Sequence, residues 1–349
     1  MGGKLPRALA EARNSIRAMV PPGGKVLVAC SGGADSLALA AAAAFLHRKM
    51  EIDAGAVIID HRMQPGSTEV AHRAAAQCRE LGLGEVLVLR VNVDGGSEQA
   101  ARTARYAAFG EALRQTGADH VLLGHTLDDQ AEQVLLGLAR GSGTLSLAGM
   151  PAARGPYLRP LLALGRADVE LICRHEGLEY WNDPSNTDPR YLRNRVRHEL
   201  MPVLLGVLGD HVPAALARTA ALARADAEYL DGLAAGALSE ATLAAPAAAG
   251  GADDGAAATV CDLDLARLRA MPEPLRSRAL RLAVVKAGAP APDFERLAAL
   301  EALVLGSKSA GPVQLEGPVF ATRLAGARLP AGAIPVLRLD ATALRRGRG

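Results

Sequence analysis

Aromatic residues are scarce in this sequence. Only 3% of its 349 residues are Phe, Trp or Tyr, although half are hydrophobic, so its cores are expected to be aliphatic. A strong excess of either charge is also missing, because the formal net charge is only +2. The net charge therefore does not indicate a nucleic-acid partner, and any basic surface must be local.

Cysteines and long apolar runs are limited as well. The four cysteines are far apart and form no Cys-x-x-Cys pair, which argues against a zinc knuckle, an iron–sulfur site or a disulfide framework. The longest apolar run, Leu37 to Leu46, is too short to cross a bilayer, and residues 1–20 contain no apolar export segment. These absences predict a soluble, cytoplasmic protein with no membrane partner.

Apolar strand-like runs recur along the first half of the chain, with helical patterns between them. They cover residues 25–30, 52–60, 85–92 and 119–125. Strands joined by helices through right-handed crossovers predict an α/β fold with a doubly wound parallel sheet, whose ligands bind at the carboxyl ends of the strands.

Two domains are predicted from the pattern of elements. The first covers residues 1–208 and contains the parallel sheet. The second, residues 209–349, is smaller and mainly helical, with a short strand turn near its end. Residues 242–258 are rich in Ala, Gly and Pro, a composition that predicts a flexible insertion.

The first strand runs into a glycine-rich turn, Ser31-Gly32-Gly33-Ala34-Asp35-Ser36. Such a turn before a helix directs backbone N–H groups and the positive end of the helix dipole at its ligand, which favours a phosphate. The turn has neither the lysine of a Walker P-loop nor the G-x-G-x-x-G of a dinucleotide site. The carboxylate of Asp35 is an unexpected group beside phosphates, and it makes sense if it holds magnesium.

A second polar cluster follows the fourth strand directly. Its members share one helix face, directed at the strand ends, because their spacing is i, i+3, i+4 and i+7. Like charges this close repel each other and predict a nearby cation, either magnesium on a phosphate ligand or an ammonium group of a substrate. The alternative is a solvated acidic first turn that the helix dipole favours. The cluster consists of His125, Asp128, Asp129 and Glu132.

Over roughly the first 200 residues, these motifs resemble those of the tRNA(Ile)-lysidine synthase family of PP-loop ATP pyrophosphatases. The Ser-Gly-Gly-x-Asp-Ser turn is similar to the pyrophosphate loop of that family, and His-x-x-Asp-Asp-Gln-x-Glu is similar to its second motif. Two positions depart from the family pattern, with Arg62 in place of the usual glycine and Gln133 in place of the usual threonine. The other matches are Asp60-His61 with Pro65-Gly66-Ser67, Glu98-x-x-Ala101-Arg102-x-x-Arg105-Tyr106, Gly141-Ser142-Gly143, Arg159-Pro160-Leu161, and Asp183-x-Ser185-Asn186-x-Asp188 to Arg193-Asn194-x-x-Arg197.

The resemblance implies an ATP-dependent ligase for tRNA(Ile) with a CAU anticodon. Such an enzyme joins L-lysine to the cytidine at the first anticodon position through an adenylated cytidine, releases AMP and pyrophosphate, and changes codon specificity from AUG to AUA. Asp35 would hold magnesium. The implied catalytic residues are Asp35, His125, Asp128, Asp129 and Glu132. The implied ATP-binding residues are Ser31, Gly32, Gly33, Ala34, Asp35, Ser36 and His61, with a structural turn partner as the alternative for His61.

Two basic segments are candidates for tRNA binding. Arg102 and Arg105 lie on one predicted helix face beside Tyr106, a combination that suits phosphate contacts and base stacking. Arg193 and Arg197 belong to a second basic stretch. A solvated helix face is the alternative for both segments.

Two rival functions fit parts of the pattern. One is another PP-loop enzyme, such as a tRNA cytidine thiolase or an amidotransferase. A thiolase of this kind would need paired cysteines for sulfur or a cluster, and the sequence has none. A non-catalytic ATP-binding regulatory module would have no reason to carry the cluster between residues 125 and 132.

Overall fold

The computed structural model describes residues 5–62, 66–91, 98–141, 143–243, 260–307, 310–317, 319–326 and 333–341. The chain divides into two compact units, of which the first comprises Met1–Gly141 and Ser146–Ala221 and the second comprises Ser142–Leu145 and Leu222–Gly349. This division falls inside a helix, whereas the predicted boundary after residue 208 precedes that helix, and the domain bounds stay a prediction. The predicted insertion lies outside the described residues from position 244 onward.

A six-stranded sheet forms the centre of the first unit, in the order β3-β2-β1-β4-β6-β5. All neighbouring strands are parallel except β5 and β6, so the predicted parallel sheet is confirmed. The strands are β1 (Lys25–Ala29), β2 (Asp53–Asp60), β3 (Val86–Arg90), β4 (His120–Leu122), β5 (Ala153–Arg154) and β6 (Tyr157–Leu158).

Apolar cores cover both faces of this sheet. Successive side chains of a strand point to opposite faces, and accordingly Val26 and Val28 belong to one core while Leu27 belongs to the other. The alanines of the second helix are almost completely buried in the first core, and their small side chains let that helix pack closely against its neighbours. The helices are α1 (Arg7–Met19), α2 (Ala34–Arg48), α3 (Ser67–Glu80), α4 (Glu98–Thr116), α5 (Leu127–Arg140), α6 (Thr144–Leu147), α7 (Arg166–His175), α8 (Leu192–Arg195) and α9 (Met201–Leu208).

A π-helical segment, Val196–Leu200, joins α8 to α9, and a short 3-10 helix, Pro184–Thr187, precedes them. The helical sequence pattern by itself favours one helix from about residue 191 to 208, and Pro202 would be expected to bend it. The π segment is the irregularity that pattern reasoning missed. Such segments are often found at functional sites.

The second unit contains a four-stranded antiparallel sheet in the order β7-β10-β9-β8. The strand turn predicted near residues 313–323 corresponds to β8 and β9, whereas β7 and β10 were not predicted. The second unit therefore has a sheet in addition to the predicted helices. Its elements follow α10 (Val212–Ala241) and are β7 (Val260–Asp264), α11 (Leu265–Ala270), α12 (Glu273–Lys286), α13 (Phe294–Leu305), β8 (Ala310–Gln314), β9 (Phe320–Leu324) and β10 (Val336–Asp340).

Within the described ranges, no single helix has both the length and the apolar composition needed to cross a membrane. One bent pair, Leu192–Leu208 with Val212–Ala241, meets that criterion by length and composition only.

Candidate active site

The glycine-rich turn between β1 and α2 is closed by its own serines. The hydroxyl of Ser36 accepts a hydrogen bond from the N–H of Ser31 at 3.1 Å and donates one to the carbonyl oxygen of Gly33 at 2.9 Å. Gly32 has a φ of 83°, in the region that favours glycine. Its carbonyl oxygen accepts the N–H of Trp181 at 2.9 Å, so the segment before the 3-10 helix supports the turn.

Asp35 lies in the first turn of α2, next to the carboxyl end of β4. A Cβ atom added to Gly124 would lie 3.0 Å from the carbonyl carbon of Asp35, so the glycine permits this close approach. Burial, together with the charge of Asp129, raises the pKa of Asp35 to about 6, against the lowering effect of Arg166 and Arg197. The phosphate loop and the acidic cluster therefore belong to one electrostatic site.

Helix α5 begins with a capping box that fixes Asp129. Thr126 is the N-cap, and its N–H donates to Oδ2 of Asp129 at 2.8 Å. The same carboxyl oxygen accepts the hydroxyl of Thr126 at 3.1 Å. Because this oxygen is used by the helix end, only Oδ1 of Asp129 faces other partners.

Two arginines from the helix that includes the π segment neutralise Asp129 and Glu132. Arg193 donates to Oδ1 of Asp129 at 3.0 Å and to Oε2 of Glu132 at 2.8 Å. Arg197 donates to the same Asp129 oxygen at 2.9 Å and to both oxygens of Glu132, at 2.6 Å and 3.1 Å. Since Glu132 is only 1% exposed, these four side chains form a largely buried ion-pair network, called here the arginine–carboxylate network.

This network supplies the cation that the acidic cluster requires. The sequence predicted magnesium or a substrate ammonium in that position, and it predicted that Arg193 and Arg197 contact tRNA. In the structure both guanidinium groups contact carboxylates of the chain itself. The four-residue spacing of the two arginines, which places them on one helix face, was the available signal.

Asp128 stands apart from the network. Its Oδ2 accepts the N–H of Arg166, the first residue of α7, at 2.7 Å. A carboxylate at a helix N-terminus interacts favourably with the helix dipole. Within the described ranges Asp128 has no ion pair with an arginine or lysine side chain, so it is the member of the cluster best placed to meet an added cation.

His61 and His125 follow the two strands that flank β1. The Nδ1 atom of each is buried, without a hydrogen-bond partner among the described residues. Burial lowers the pKa of His61 to about 4, helped by the charge of Arg105. Burial also lowers the pKa of His125 to about 4, with Arg159 and Arg193 acting in the same direction. Both imidazoles are therefore neutral near pH 7.

Arg102 and Arg105 lie exposed on α4. The guanidinium carbon of Arg102 is 5.0 Å from the ring centre of Tyr106, in a cation–π arrangement. The Tyr106 ring also packs edge-on against Phe109 and Tyr157. The predicted stacking partner for a base is thus part of a small aromatic cluster, while the two arginines face solvent.

No group of three or more His, Cys, Asp or Glu side chains suited to a metal ion occurs in the described part of the chain. A magnesium ion here would rest on a single carboxylate together with phosphate oxygens and water, which is a usual arrangement for that ion at nucleotide sites. The donor set at Asp35 fits such an ion, because a cation would offset the repulsion that Asp129 exerts on it.

Two family profiles match the chain. The PP-loop domain matches residues 7–204, and the TilS substrate binding domain matches residues 263–327. A solved structure, the U34-tRNA thiolase NcsA from Methanococcus maripaludis, is similar with a TM-score of 0.51 at 18% identity, over 61% of this chain and 77% of that chain. At this identity the likeness shows the fold alone.

Curated relatives cover most of the chain. The protein named tRNA(Ile)-lysidine synthase from Leifsonia xyli is 49% identical over 298 residues, which are 85% of this chain and 86% of the relative. The proteins of that name from Streptomyces coelicolor and Thermobifida fusca are each 45% identical, over 88% and 89% of this chain and 85% and 94% of theirs. These matches confirm the resemblance carried by the motifs: the chain belongs to the tRNA(Ile)-lysidine synthase family of PP-loop enzymes.

Proposed function

We propose that this chain uses ATP to join lysine to the first anticodon cytidine of tRNA(Ile) with a CAU anticodon, in the cytoplasm. The observation that carries the proposal is the close approach of Gly124 to Asp35, where an added Cβ atom would lie 3.0 Å from the carbonyl carbon of Asp35. Since Gly124 lies three residues before the start of α5, the phosphate loop and the acidic helix are adjacent. One site can then hold a nucleotide at the loop and an amine at the helix.

The first step would be adenylation of the cytidine. ATP binds with its phosphates on Ser31 to Ser36 and on the N-terminus of α2, where backbone N–H groups favour anions, and His61 lies at the next strand end. O2 of the cytidine forms a bond to the α-phosphorus as the bond to pyrophosphate breaks. Magnesium held by Asp35 would stabilise charge on the leaving pyrophosphate.

The second step would transfer the amine. The lysine ammonium group would first pass a proton to solvent water. Its nitrogen would then form a bond to C2 of the cytidine as the C2–O2 bond breaks, AMP would leave with the O2 atom, and the second proton of the nitrogen would also pass to water. We assign Asp128 to the incoming ammonium group, because its carboxylate forms no ion pair with an arginine or lysine side chain among the described residues. His125, whose Nδ1 atom has no hydrogen-bond partner among the described residues, would offer an acceptor to the amine, and Asp129 and Glu132 would keep α5 and the two arginines in place.

The tRNA would bind to residues of both the PP-loop domain and the TilS substrate binding domain. The TilS substrate binding profile covers part of the second unit, and the exposed Arg102 and Arg105 provide local positive charge near the strand ends of the first. The overall charge is too small for tight nonspecific binding. Recognition would therefore depend on local arginine contacts with phosphates.

The test is a reconstituted reaction with the full chain, ATP, radiolabelled lysine and tRNA(Ile) bearing a CAU anticodon. We expect pyrophosphate release that requires this tRNA, and a lysine mass added to the anticodon cytidine in digested nucleotides. Asp35→Asn and a methionine tRNA serve as negative controls. Release of pyrophosphate without tRNA, or modification by an amino acid other than lysine, would contradict the proposal.

A further inference from the structure

Arg62 has an unusual backbone conformation for a residue with a side chain. Its φ is 52°, and Met50, with a φ of 58°, is the other non-glycine residue with positive φ in the described ranges. This region is open to glycine at little cost, but it strains other residues. The chain therefore keeps an arginine where the backbone favours glycine.

A buried carboxylate holds this conformation in place. Oδ1 of Asp60 accepts the N–H of Arg62 and the hydroxyl of Ser67, each at 3.2 Å. Oδ2 accepts the hydroxyl of Thr68 at 2.9 Å. Asp60 is 2% exposed. It thus ties the end of β2, the backbone of Arg62 and the first turn of α3 together.

The guanidinium group of Arg62 is weakly paired by comparison. Its Nε atom lies 3.8 Å from Oδ2 of Asp60, beyond hydrogen-bond distance, and 53% of the side chain is exposed. Asp60 already accepts three hydrogen bonds from other donors. Among the described residues no other carboxylate forms an ion pair with Arg62, so its positive charge is available to a ligand.

This charge lies at the same sheet edge as the phosphate loop. Strand β2 pairs directly with β1, and α3 packs on the loop, since a Cβ atom added to Gly32 would lie 3.4 Å from Ala74 and 3.5 Å from Val70. Because Asp60 fixes Arg62 to the start of that same helix, the position of Arg62 is coupled to that of the loop.

We infer that Arg62 is a phosphate-binding residue of this site, one whose guanidinium contacts a phosphate group of ATP or of the tRNA backbone. An arginine offers paired N–H donors that match phosphate oxygens. This contact is what the strained arginine provides and a glycine would not. The inference rests on the proposed function, because ATP and tRNA are the phosphate-bearing substrates of that reaction.

The test compares Arg62→Gly with Met50→Gly. Both changes place glycine at a positive φ, so both should leave the melting temperature unchanged or slightly raised. Met50 is 82% exposed and follows the far end of α2, which at 15 residues is about 22 Å long. Met50→Gly therefore controls for the backbone change without touching the site. Arg62→Gln removes the charge while keeping a side chain, and Arg62→Lys keeps the charge.

Direct binding separates the two phosphate sources. If Arg62 contacts ATP, Arg62→Gly and Arg62→Gln should raise the Kd for ATP about tenfold, with tRNA binding unchanged. If it contacts tRNA, the same variants should weaken tRNA binding and reduce its salt slope by about 0.9, with ATP binding unchanged. Arg62→Lys keeps the charge, so it should lose less affinity for the same ligand than Arg62→Gln does. Met50→Gly should bind both ATP and tRNA as the wild type does.

Equal affinities of wild type and Arg62→Gly for both ATP and tRNA would overturn the inference. A loss of affinity that Met50→Gly reproduces would overturn it as well. Failure of the proposed function is recognised separately, since wild-type protein would then release no tRNA-dependent pyrophosphate, while the two binding measurements would still report on Arg62.

Discussion

The Nε atom of Arg197 lies 2.6 Å from Oε1 of Glu132, which joins the π-helical segment to the first turns of α5. The two residues are far apart in sequence, and Glu132 is almost completely buried. Removing one member of such a pair leaves a charge without its partner in a poorly hydrated place. The geometry of the acidic helix thus depends on a helix from the end of the first unit.

We expect strong coupling between these two residues. Glu132→Gln and Arg197→Gln should each lower the free energy of unfolding by about 2 kcal/mol, because each leaves an uncompensated charge. The double variant should lose less than the sum of the two, with a coupling energy of about 1 to 2 kcal/mol. Urea unfolding of the four proteins measures this cycle. Additive losses would show that the pair is not coupled in solution.

Asp128→Asn should separate the two chemical steps. Asparagine can still accept the N–H of Arg166 at the start of α7, but it lacks the charge that would hold the lysine ammonium group. We expect the first turnover to release pyrophosphate normally, while the KM for lysine rises about tenfold. Rapid-quench measurement of pyrophosphate and of adenylated tRNA checks both quantities.

The matched control for Asp128→Asn is Asp168→Asn, which changes a carboxylate at the start of the same α7 helix. It should leave the KM for lysine unchanged. Loss of the pyrophosphate burst in Asp128→Asn, with normal lysine affinity, would assign Asp128 to the ATP half of the site instead.

Adenylation should decline as the pH falls through about 6. Burial and the charge of Asp129 raise the pKa of Asp35 to about 6, so its carboxylate becomes protonated below that pH and cannot hold magnesium. His61 and His125 are not expected to produce this transition, because burial lowers the pKa of each to about 4. Single-turnover rates from pH 5 to 8 check the midpoint, and raised magnesium should shift it to lower pH.

The same pKa predicts that folding stability, unlike adenylation, is greater at low pH. Since the folded pKa of Asp35 exceeds its unfolded value, the unfolded chain binds fewer protons between pH 4 and 6, and stability falls as the pH rises through this range. The free energy of unfolding of Asp35→Asn, measured relative to that of wild type, should therefore be about 1 kcal/mol higher at pH 8 than at pH 5. Unfolding curves at both pH values measure the difference. A constant difference would place the pKa of Asp35 near its ordinary value.

Arg105 and Arg197 should differ in their effect on tRNA binding. Arg105 is exposed on α4, so Arg105→Ala should weaken tRNA binding and reduce the salt slope by about 0.9, with ATP affinity unchanged. The charge of Arg197 is used within the arginine–carboxylate network, so Arg197→Gln should leave that slope unchanged. Filter binding from low to moderate salt measures both. A reduced slope for Arg197→Gln would support its sequence-based assignment to tRNA.

Local sequence features determined the phosphate loop, the parallel sheet and the family of this protein. The strand–turn–helix around residues 31–36 follows from adjacent glycines and serines between two apolar runs, and the parallel sheet follows from the alternation of strands and helices. The family followed from motifs whose residues are close together in the chain. In each case the interactions are short-range, so residue type and spacing define them without knowledge of the fold.

Tertiary structure alone decided which charges meet. The sequence places Glu132 and Arg197 more than 60 positions apart, and no spacing rule predicts their contact, because it depends on how two helices pack around the sheet. The same packing left Asp128 without an arginine side chain as an ion-pair partner in the described ranges, and it put a strained Arg62 beside the phosphate loop. Burial, which moves the pKa values of Asp35 and of the two histidines, is likewise a property of the folded chain and of no single segment.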